Sequence, residues 1–549
     1  MRRLPRPGLL AGAGVLAAVL AGLWLALGPR TPDLAAQYYR GELFARDGFG
    51  VWDNNWYAGH HVPGYSLLFA PLGDLLGTRL VGALAAVACA LCFAALARRH
   101  FGSTARWGIL WLAGATATDL LIGRLTFALG VAVGLGALLA FQRRRLVAAG
   151  VLGALCAAAS PVAGLFLALA GVAWGLGGPG PGRARLRGVG LVVAVPPVVL
   201  TAVLGVTFPE GGRQPFGHNA FWGALVLTAL AGALLPRGER VLRTGAVLYA
   251  LAVVASLATH TPMGSNVSRL GAMFSGPLLL CAVMGGRPAL TQTLLRGVRE
   301  RARAPVGVAV LAATVLALVV YQWNSPVREV AKGLADDSTN ASYYAPLEGF
   351  LNAHARPLGR LEVPFIRTHW DAALLALRYP LARGWERQLD VRYDPLFYHR
   401  GLTAVEYHAW LLSVGVRYVA LPDAILDPSS VDEGRLVAGG LAYLKPVWRS
   451  AHWRVFELRH ARALAGGVGR LTGLEDQAFS VRATRAGDIP VLVRFSPYWQ
   501  VSAGAGCVTR APGDWTLVRA RGPGPLRVSA RFSLARVLDR GPRCGGTDT

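Results

Sequence analysis

The chain has 549 residues, of which 53% are hydrophobic and only 16% are charged, so its composition is unlike that of a soluble globular protein. A net charge of +26 is compatible with nucleic-acid binding, but that function needs basic residues clustered with aromatic residues, and the arginines here are scattered between apolar runs. The composition therefore excludes a nucleic-acid-binding protein and places most of the chain in a lipid bilayer.

Apolar runs long enough to cross a bilayer recur over the first 322 residues and then stop. Because about 20 apolar residues in a helix span the hydrocarbon core, each run predicts a transmembrane helix. The sequence predicts eleven such helices, at residues 8–28, 76–97, 107–122, 125–141, 146–159, 161–177, 188–208, 220–236, 242–259, 268–285 and 305–322. Residues 1–322 are thus predicted to form a polytopic helical domain.

Arginines mark alternate connections between these spans and predict the orientation of the chain. The basic segments are MRRLPR at the start, Arg98 to Arg106, Arg143 to Arg145, Arg183 to Arg187, Arg237 to Arg243 and Arg296 to Arg303. Basic connections stay in the cytoplasm, so the N-terminus is predicted to be cytoplasmic. The loop at residues 29–75 and everything after Gln322 are then predicted to lie outside. The composition, which is rich in Ala, Gly, Leu and Arg, indicates that the membrane is a bacterial cell membrane.

The region after residue 322 has the patterning of folded domains. Residues 323–462 contain the β-rich runs EVPFI, GVRYVALP and WRVFELR and the helical run AVEYHAWLLS, which together predict an α/β domain. In residues 463–549, the runs FSVRAT, IPVLVRFS, WTLVRAR and LRVSARFS alternate as strands do and predict a β-sandwich. Cys507 and Cys544 lie in this tail, where a disulfide is possible outside the cytoplasm.

The acidic residues of the membrane half gather at one predicted surface. Nine precede Gln322, and five of them lie in the loop 29–75: Asp33, Glu42, Asp47, Asp53 and Asp74. Polar groups that converge at one face of a membrane protein indicate a functional site there.

Asp33, in the context GPRTPDLAAQ, has two interpretations, which are compatible with each other. In the structural one, Thr31 caps a helix, Pro32 takes its first position, and Asp33 in the first turn interacts favourably with the helix dipole. In the functional one, Asp33 is a general base or a metal ligand at the mouth of a cavity.

The run WDNNWYAGHH lies in the same loop and also has two interpretations. Its aromatic residues are typical of an interfacial belt, and its polar residues of a solvated loop. Alternatively, Asp53, Trp56, Tyr57 and His60 bind a sugar, because flat rings stack on sugar faces while polar groups bind hydroxyls. Asp33, Asp53, His60 and His61 are also weak candidates as ligands of a divalent metal ion.

Two arginines are placed against the charge rule, near the predicted outer ends of spans. Asn266 and Arg269, in THTPMGSNVSRLG, are candidates for holding a phosphate, with an interfacial anchor as the alternative. Arg124 flanks a tight turn together with Asp119, and the two are predicted to form a structural ion pair.

The chain resembles the C-type glycosyltransferase superfamily in four features. They are a first span followed by an acid at Asp33, a long polar outer loop, eleven spans and a large outer C-terminal region. The ending GVRYVALP followed by IPVLVRFSPYWQVSA also resembles bacterial YfhO-like membrane proteins. The resemblance implies a polyprenyl-phosphate sugar donor and carries Asp33 over as the base. The paired acids common in these enzymes are represented by Asp33 alone, with Asp53 further along.

These observations predict a membrane glycosyltransferase that transfers a sugar from a polyprenyl phosphate to a cell-envelope glycan or lipid on the outer face. Two alternatives stay open from the sequence. A transporter or lipid-linked-glycan flippase would be expected to show repeated halves and polar residues at the midplane, and neither is evident. The other alternative is a non-catalytic envelope scaffold.

Overall fold

The computed structural model describes residues 8–178, 183–285, 304–399, 401–541 and 544. The basic segments MRRLPR and Arg296 to Arg303 lie outside these residues. The described chain up to residue 333 contains thirteen α-helices: α1 (Gly8–Leu27), α2 (Pro32–Asp47), α3 (Phe69–Leu76), α4 (Thr78–Phe101), α5 (Arg106–Ile122), α6 (Leu125–Gln142), α7 (Leu146–Ala159), α8 (Pro161–Gly177), α9 (Arg183–Thr207), α10 (His218–Leu234), α11 (Arg240–Ala258), α12 (Ser268–Gly285) and α13 (Ala304–Gly333).

Eleven of these helices, all except α2 and α3, coincide with the predicted spans. Seven helical segments of the described chain are long and apolar enough to cross a membrane, and α7, α8 and α10 are shorter apolar helices. The predicted class of polytopic helical membrane protein is therefore confirmed. The last span differs in length, because α13 runs on to Gly333 instead of ending at residue 322.

Small residues allow the helices to approach closely. A Cβ built on Gly130 of α6 would come within 2.7 Å of side chains on Ser160 and Ala163, and one on Gly164 of α8 would lie 2.8 Å from the Ala157 Cβ. Within lipid there is no hydrophobic drive for helices to associate, so close backbone contact and dispersion must supply the attraction. The Gly- and Ala-rich composition of the spans is thus part of what packs them.

The chain divides into two compact units. The helical unit comprises residues 1–37, 65–204 and 213–331, and the mixed unit comprises residues 38–64, 205–212 and 332–549. The middle of the predicted outer loop and the short connection after α9 therefore fold together with the C-terminal region.

The mixed unit has thirteen strands and six further helices among its described residues. The strands are β1 (Trp52–Asp53), β2 (His60–His61), β3 (Arg360–Glu362), β4 (Val416–Pro422), β5 (Leu444–Arg449), β6 (Trp453–Leu458), β7 (Gly469–Glu475), β8 (Ala478–Ala483), β9 (Gly487–Arg494), β10 (Trp499–Ala503), β11 (Gly506–Ala511), β12 (Trp515–Ala520) and β13 (Gly524–Ala530). The helices are α14 (Ala341–Ala353), α15 (Trp370–Leu374), α16 (Arg387–Tyr393), α17 (Ala404–Ser413), α18 (Val431–Gly439) and α19 (Leu534–Leu538).

The α/β part contains one sheet in the order β3-β4-β6-β5, in which β3 runs parallel to β4 and the other neighbours are antiparallel. The predicted strands at GVRYVALP and WRVFELR are β4 and β6, and the predicted helix is α17. α17 begins where it does because Thr403 and Glu406 form a capping box, each side chain accepting the other's backbone N–H. The prediction for EVPFI is wrong beyond Glu362, where β3 ends.

The terminal part has two antiparallel sheets, β10-β13-β8-β7 and β11-β12-β9. Alternate residues of their strands are fully buried, as Ile489, Val491 and Val493 are on β9 and Phe479 and Val481 are on β8. This is the pattern of a sandwich core, as predicted. A disulfide joins Cys507 on β11 to Cys544, while Cys89, Cys92, Cys156 and Cys281 are free.

Candidate functional site

Asp33 lies in the first turn of α2, which begins at Pro32 as the sequence predicts. Proline is favoured at this position because its missing N–H would have no partner in the helix. The predicted side-chain cap is wrong, however. The Thr31 hydroxyl is buried and has no hydrogen-bond partner among the described residues, and it is the Thr31 carbonyl oxygen that accepts the Leu34 N–H at 3.1 Å.

The partner of Asp33 is Arg124, at the start of α6. The Arg124 Nε donates to the Asp33 Oδ2 at 3.3 Å, and about a third of each side chain is exposed, 27% and 34% respectively. The turn before α6 brings them together. Gly123 has φ +91°, and a Cβ there would lie 2.4 Å from the Leu34 backbone nitrogen, so only glycine allows this turn to contact the start of α2.

Two further charged residues surround this pair. Asp119, in the last turn of α5, is only 6% exposed, and the charges of Arg124, Arg269 and Asp33 act on it. Arg124 was predicted to form a structural ion pair with Asp119, but its ion pair in the described chain is with Asp33, and it acts on Asp119 through its charge. One Asp119 oxygen, Oδ2, is buried with no hydrogen-bond partner in the described part of the chain.

Arg269 lies in the first turn of α12, and the charges of Arg124, Asp33 and Asp119 reach it. Its Nη2 donates to the Asn266 Oδ1 at 2.6 Å, and its guanidinium lies 5.4 Å from the centre of the Phe127 ring. Its Nε is buried and without a hydrogen-bond partner among the described residues. The two residues predicted to hold a phosphate are therefore side by side.

We call Asp33, Asp119, Arg124 and Arg269 the Asp33 cluster. It lies where α5 ends and where α2, α6 and α12 begin, and its two acids balance its two arginines. Charges at bilayer depth cost about 2.5–3.5 kcal/mol each on insertion scales, and opposite charges at close range offset that cost. A partly exposed carboxylate beside two guanidinium groups can accept a proton and bind an oxyanion.

The residues predicted from WDNNWYAGHH lie in the mixed unit, in a hairpin that pairs Trp52 with His61 and Asp53 with His60. Trp56 and Asp53 are 0% exposed, and Tyr57 and His60 are at most 2% exposed, so the interpretations as an interfacial belt and a solvated loop are wrong. The Trp56 ring stacks between Tyr39 and His60, with centroids 4.3 and 5.7 Å away. These side chains are the core of a folded region, and their contacts are with protein.

Burial shifts the pKa values of Asp53 and His60 in opposite directions. Burial raises the pKa of Asp53 to about 7, although the Asn55 N–H and the Tyr39 hydroxyl, which donates at 2.8 Å, stabilise its charged form. Burial lowers the pKa of His60 to about 4. His60 is therefore neutral near pH 7, with its Nδ1 3.8 Å from the Asp53 Oδ2.

His61 joins Glu210 to Ser496. Its Nδ1 lies 2.6 Å from the Glu210 Oε1, its Nε2 lies 3.1 Å from the Ser496 Oγ, and the Tyr393 hydroxyl donates to the Glu210 Oε2 at 3.0 Å. Burial favours a neutral Glu210, but the His61 hydrogen bonds and charge outweigh it and lower its pKa to about 2. The arrangement resembles a Ser–His–acid triad, but Ser496 is 0% exposed, so it cannot meet a substrate.

The predicted candidates for metal ligation are divided between the two units. Asp33 lies in the helical unit with an arginine as its partner, and Asp53, His60 and His61 lie in the mixed unit. In the described ranges, no three His, Cys, Asp or Glu side chains are grouped so that they could hold one ion. Sequence reasoning missed the link between Arg124 and Asp33, and the misplaced positive charge of Arg124 was the one signal available.

No family model and no curated protein matches the sequence. The solved structures that are similar to it include the following two proteins. The arabinofuranosyltransferase AftD from Mycobacteria aligns with 96% of this chain and 57% of its own, at 15% identity and a TM-score of 0.48. ArnT from Cupriavidus metallidurans, bound to undecaprenyl phosphate, aligns with 82% of this chain and 97% of its own, at 15% identity and a TM-score of 0.43.

The chain spans less than two thirds of the length of the AftD chain that it matches.

Proposed function

We propose that this protein is a membrane glycosyltransferase that transfers a sugar from a polyprenyl-phosphate donor to a hydroxyl of a cell-envelope glycan or lipid, on the outer face. The observation that carries the proposal is the Asp33 cluster, in which a partly exposed carboxylate is paired with Arg124 and lies near Arg269. Such a donor has an apolar tail, an anionic phosphate and a reactive sugar carbon. The helical unit offers a counterpart to each part.

The apolar helices supply a surface for the tail. Leucines and valines of α1, α4 and α9 are well exposed at the surface of the chain, as expected of residues that face lipid. The two guanidinium groups supply charge-assisted hydrogen bonds for the phosphate. Arg269 has a buried Nε with no partner in the described chain, and it is fixed by its hydrogen bond to Asn266.

Asp33 acts as the base in this proposal. Its carboxylate takes the proton of the acceptor hydroxyl while the hydroxyl oxygen attacks the anomeric carbon. The bond from that carbon to the phosphate oxygen breaks, and the leaving phosphate carries its electron pair as negative charge, which Arg124 and Arg269 stabilise. Binding of the donor phosphate would also draw Arg124 away from Asp33 and free the carboxylate. One displacement inverts the configuration at the anomeric carbon.

The test is Asp33→Asn, assayed in proteoliposomes with a panel of labelled polyprenyl-phosphate sugars. General-base catalysis contributes about 10²–10⁴-fold, so we expect transfer to fall at least 100-fold. Asparagine keeps the shape of the side chain, so insertion and melting temperature should change little. The matched control is Asp74→Asn, an exposed acid of α3 outside the Asp33 cluster, which should retain activity. A fully active Asp33→Asn protein would remove Asp33 from the mechanism.

A further inference from the structure

A second candidate site lies wholly within the mixed unit and has no part in the proposed transfer. It is a cavity of about 70 Å³, lined by Arg392, Arg494, Arg510 and Arg540 together with aromatic side chains that include Trp52 and Tyr393. Four arginines around so small a volume are unusual, because like charges repel each other and each guanidinium needs hydrogen-bond acceptors.

The cavity wall has two acids, Glu210 and Asp514, against four arginines. Glu210 accepts hydrogen bonds from His61 and from the Tyr393 hydroxyl, and Asp514 pairs with Arg510 at 3.3 Å. Among the described residues, Arg392, Arg494 and Arg540 therefore have no carboxylate within ion-pair distance. The cavity carries excess positive charge.

Arg494 is the informative member of the set, because it is buried at 8% exposure. Its Nε donates to the Tyr57 carbonyl oxygen at 2.7 Å, and its guanidinium lies 3.7 Å from the centre of the Tyr393 ring. Burial lowers the pKa of Arg494, although the charges of Asp394, Asp514 and Glu210 oppose that shift. Buried groups with shifted pKa values cluster at functional sites.

We infer that this cavity binds one oxyanion, a phosphate or carboxylate group, with Arg494 at its buried side and the exposed Arg392 at its rim. The volume suits a single such group, since a water molecule takes about 30 Å³ of liquid, so the rest of a larger ligand lies outside. Guanidinium forks match both oxyanions in geometry. The proposal is independent of the proposed transferase activity, because it rests on residues of the mixed unit alone.

The experiment is a calorimetric titration of the full-length protein in detergent. The ligands are inorganic phosphate, glucose 6-phosphate, glucuronate and glucose. We expect saturable binding of the three anions and none of glucose. Arg392→Gln should weaken anion binding about tenfold, the usual size for a lost charged hydrogen bond. Equal affinity for phosphate and glucose 6-phosphate identifies the anion alone as the ligand, and tighter binding of glucose 6-phosphate shows that an attached sugar also contributes.

Arg470→Gln is the matched control, because Arg470 is an exposed arginine of β7 that does not line the cavity. It should leave the affinities unchanged, and melting temperatures should confirm that both variants fold. Absence of saturable binding of every anion would overturn the proposal. So would equal weakening by Arg392→Gln and Arg470→Gln, which would show a general charge effect, or binding of glucose as tight as that of glucose 6-phosphate.

Discussion

Glu210 and Glu362 show how neighbours decide the charge of a buried carboxyl group. Both are enclosed in the mixed unit, and burial alone favours the neutral form of each. Glu210 keeps its charge because the hydrogen bonds and the charge of His61 lower its pKa. Glu362 is 0% exposed and lies beside Glu433, and burial together with that second acid raises its pKa well above the ordinary range, against the opposing charge of Arg383.

This contrast predicts a pH-dependent gain in stability for Glu362→Gln. In the folded protein Glu362 holds a proton that the unfolded chain releases above a pH of about 4.3. Its contribution to the free energy of unfolding therefore falls as pH rises from that value through the raised pKa. Glutamine does not ionise, so it causes no such loss of stability. The variant should therefore melt at a higher temperature than the wild type at pH 8 and at the same temperature at pH 4. Thermal unfolding monitored by tryptophan fluorescence measures both.

Glu433→Gln is the matched comparison for that measurement. The Glu433 carboxylate lies 3.3 Å from the Arg383 Nη1 and accepts the Tyr407 hydroxyl at 2.9 Å. Burial raises the pKa of Glu433 as well, but the charge of Arg383 and the hydrogen bond from Tyr407 oppose that shift. Glu433→Gln should therefore raise the melting temperature at pH 8 less than Glu362→Gln does. If Glu362→Gln lowers the melting temperature at pH 8, its carboxyl group is charged and supports the fold.

At the scale of elements, the turn between α5 and α6 sets the geometry of the Asp33 cluster, and Gly123→Ala should show it. Alanine is strained at the left-handed φ of +91°, and its Cβ would lie 2.4 Å from the Leu34 nitrogen. We expect a loss of about 1–3 kcal/mol in stability and a fall in transfer activity, because Arg124 moves relative to Asp33. Thermal unfolding in detergent and the proteoliposome assay measure the two effects.

Gly114→Ala provides the control within α5, because a Cβ at Gly114 meets nothing within 4 Å. Alanine is favoured over glycine inside a helix by about 0.5–1 kcal/mol, so this variant should be as stable as the wild type or slightly more stable. Equal tolerance of alanine at both positions would mean that the turn does not fix the position of Arg124.

The elements differ in how well the sequence predicts them. The spans could be predicted because the length of an apolar run is a local property, and eleven helices follow it. Strands β4, β6, β8, β9, β12 and β13 also alternate clearly. Strands β7 and β11 were missed because GRLTGLE and GCVTRA carry few apolar residues, and they become strands through pairing with β8 and β12.

At the scale of the whole molecule, the candidate site was predictable only in part. Asp33, Asn266 and Arg269 could be found because their charge or polarity conflicts with an apolar context. The partner of Asp33 could not, since Arg124 is 91 residues away in the sequence and reaches it only through helix packing. The burial of Asp53 and Trp56 could not be predicted either, because it depends on segments from the far end of the chain that join residues 38–64 in the mixed unit.

The orientation of the chain yields the last prediction, which uses the protein's own cysteines. If the region after α13 lies outside the cytoplasm, Cys507 and Cys544 form their disulfide in an oxidising compartment. In intact spheroplasts, a membrane-impermeant reductant followed by an impermeant maleimide should label these two cysteines, whereas the maleimide alone should not. Cys89, Cys156 and Cys281 are buried and serve as internal controls, reacting only after denaturation. Labelling that requires permeabilised membranes would place this region in the cytoplasm and reverse the topology read from the arginines. Labelling of intact spheroplasts without reductant would instead show an outer region in which the disulfide is not formed.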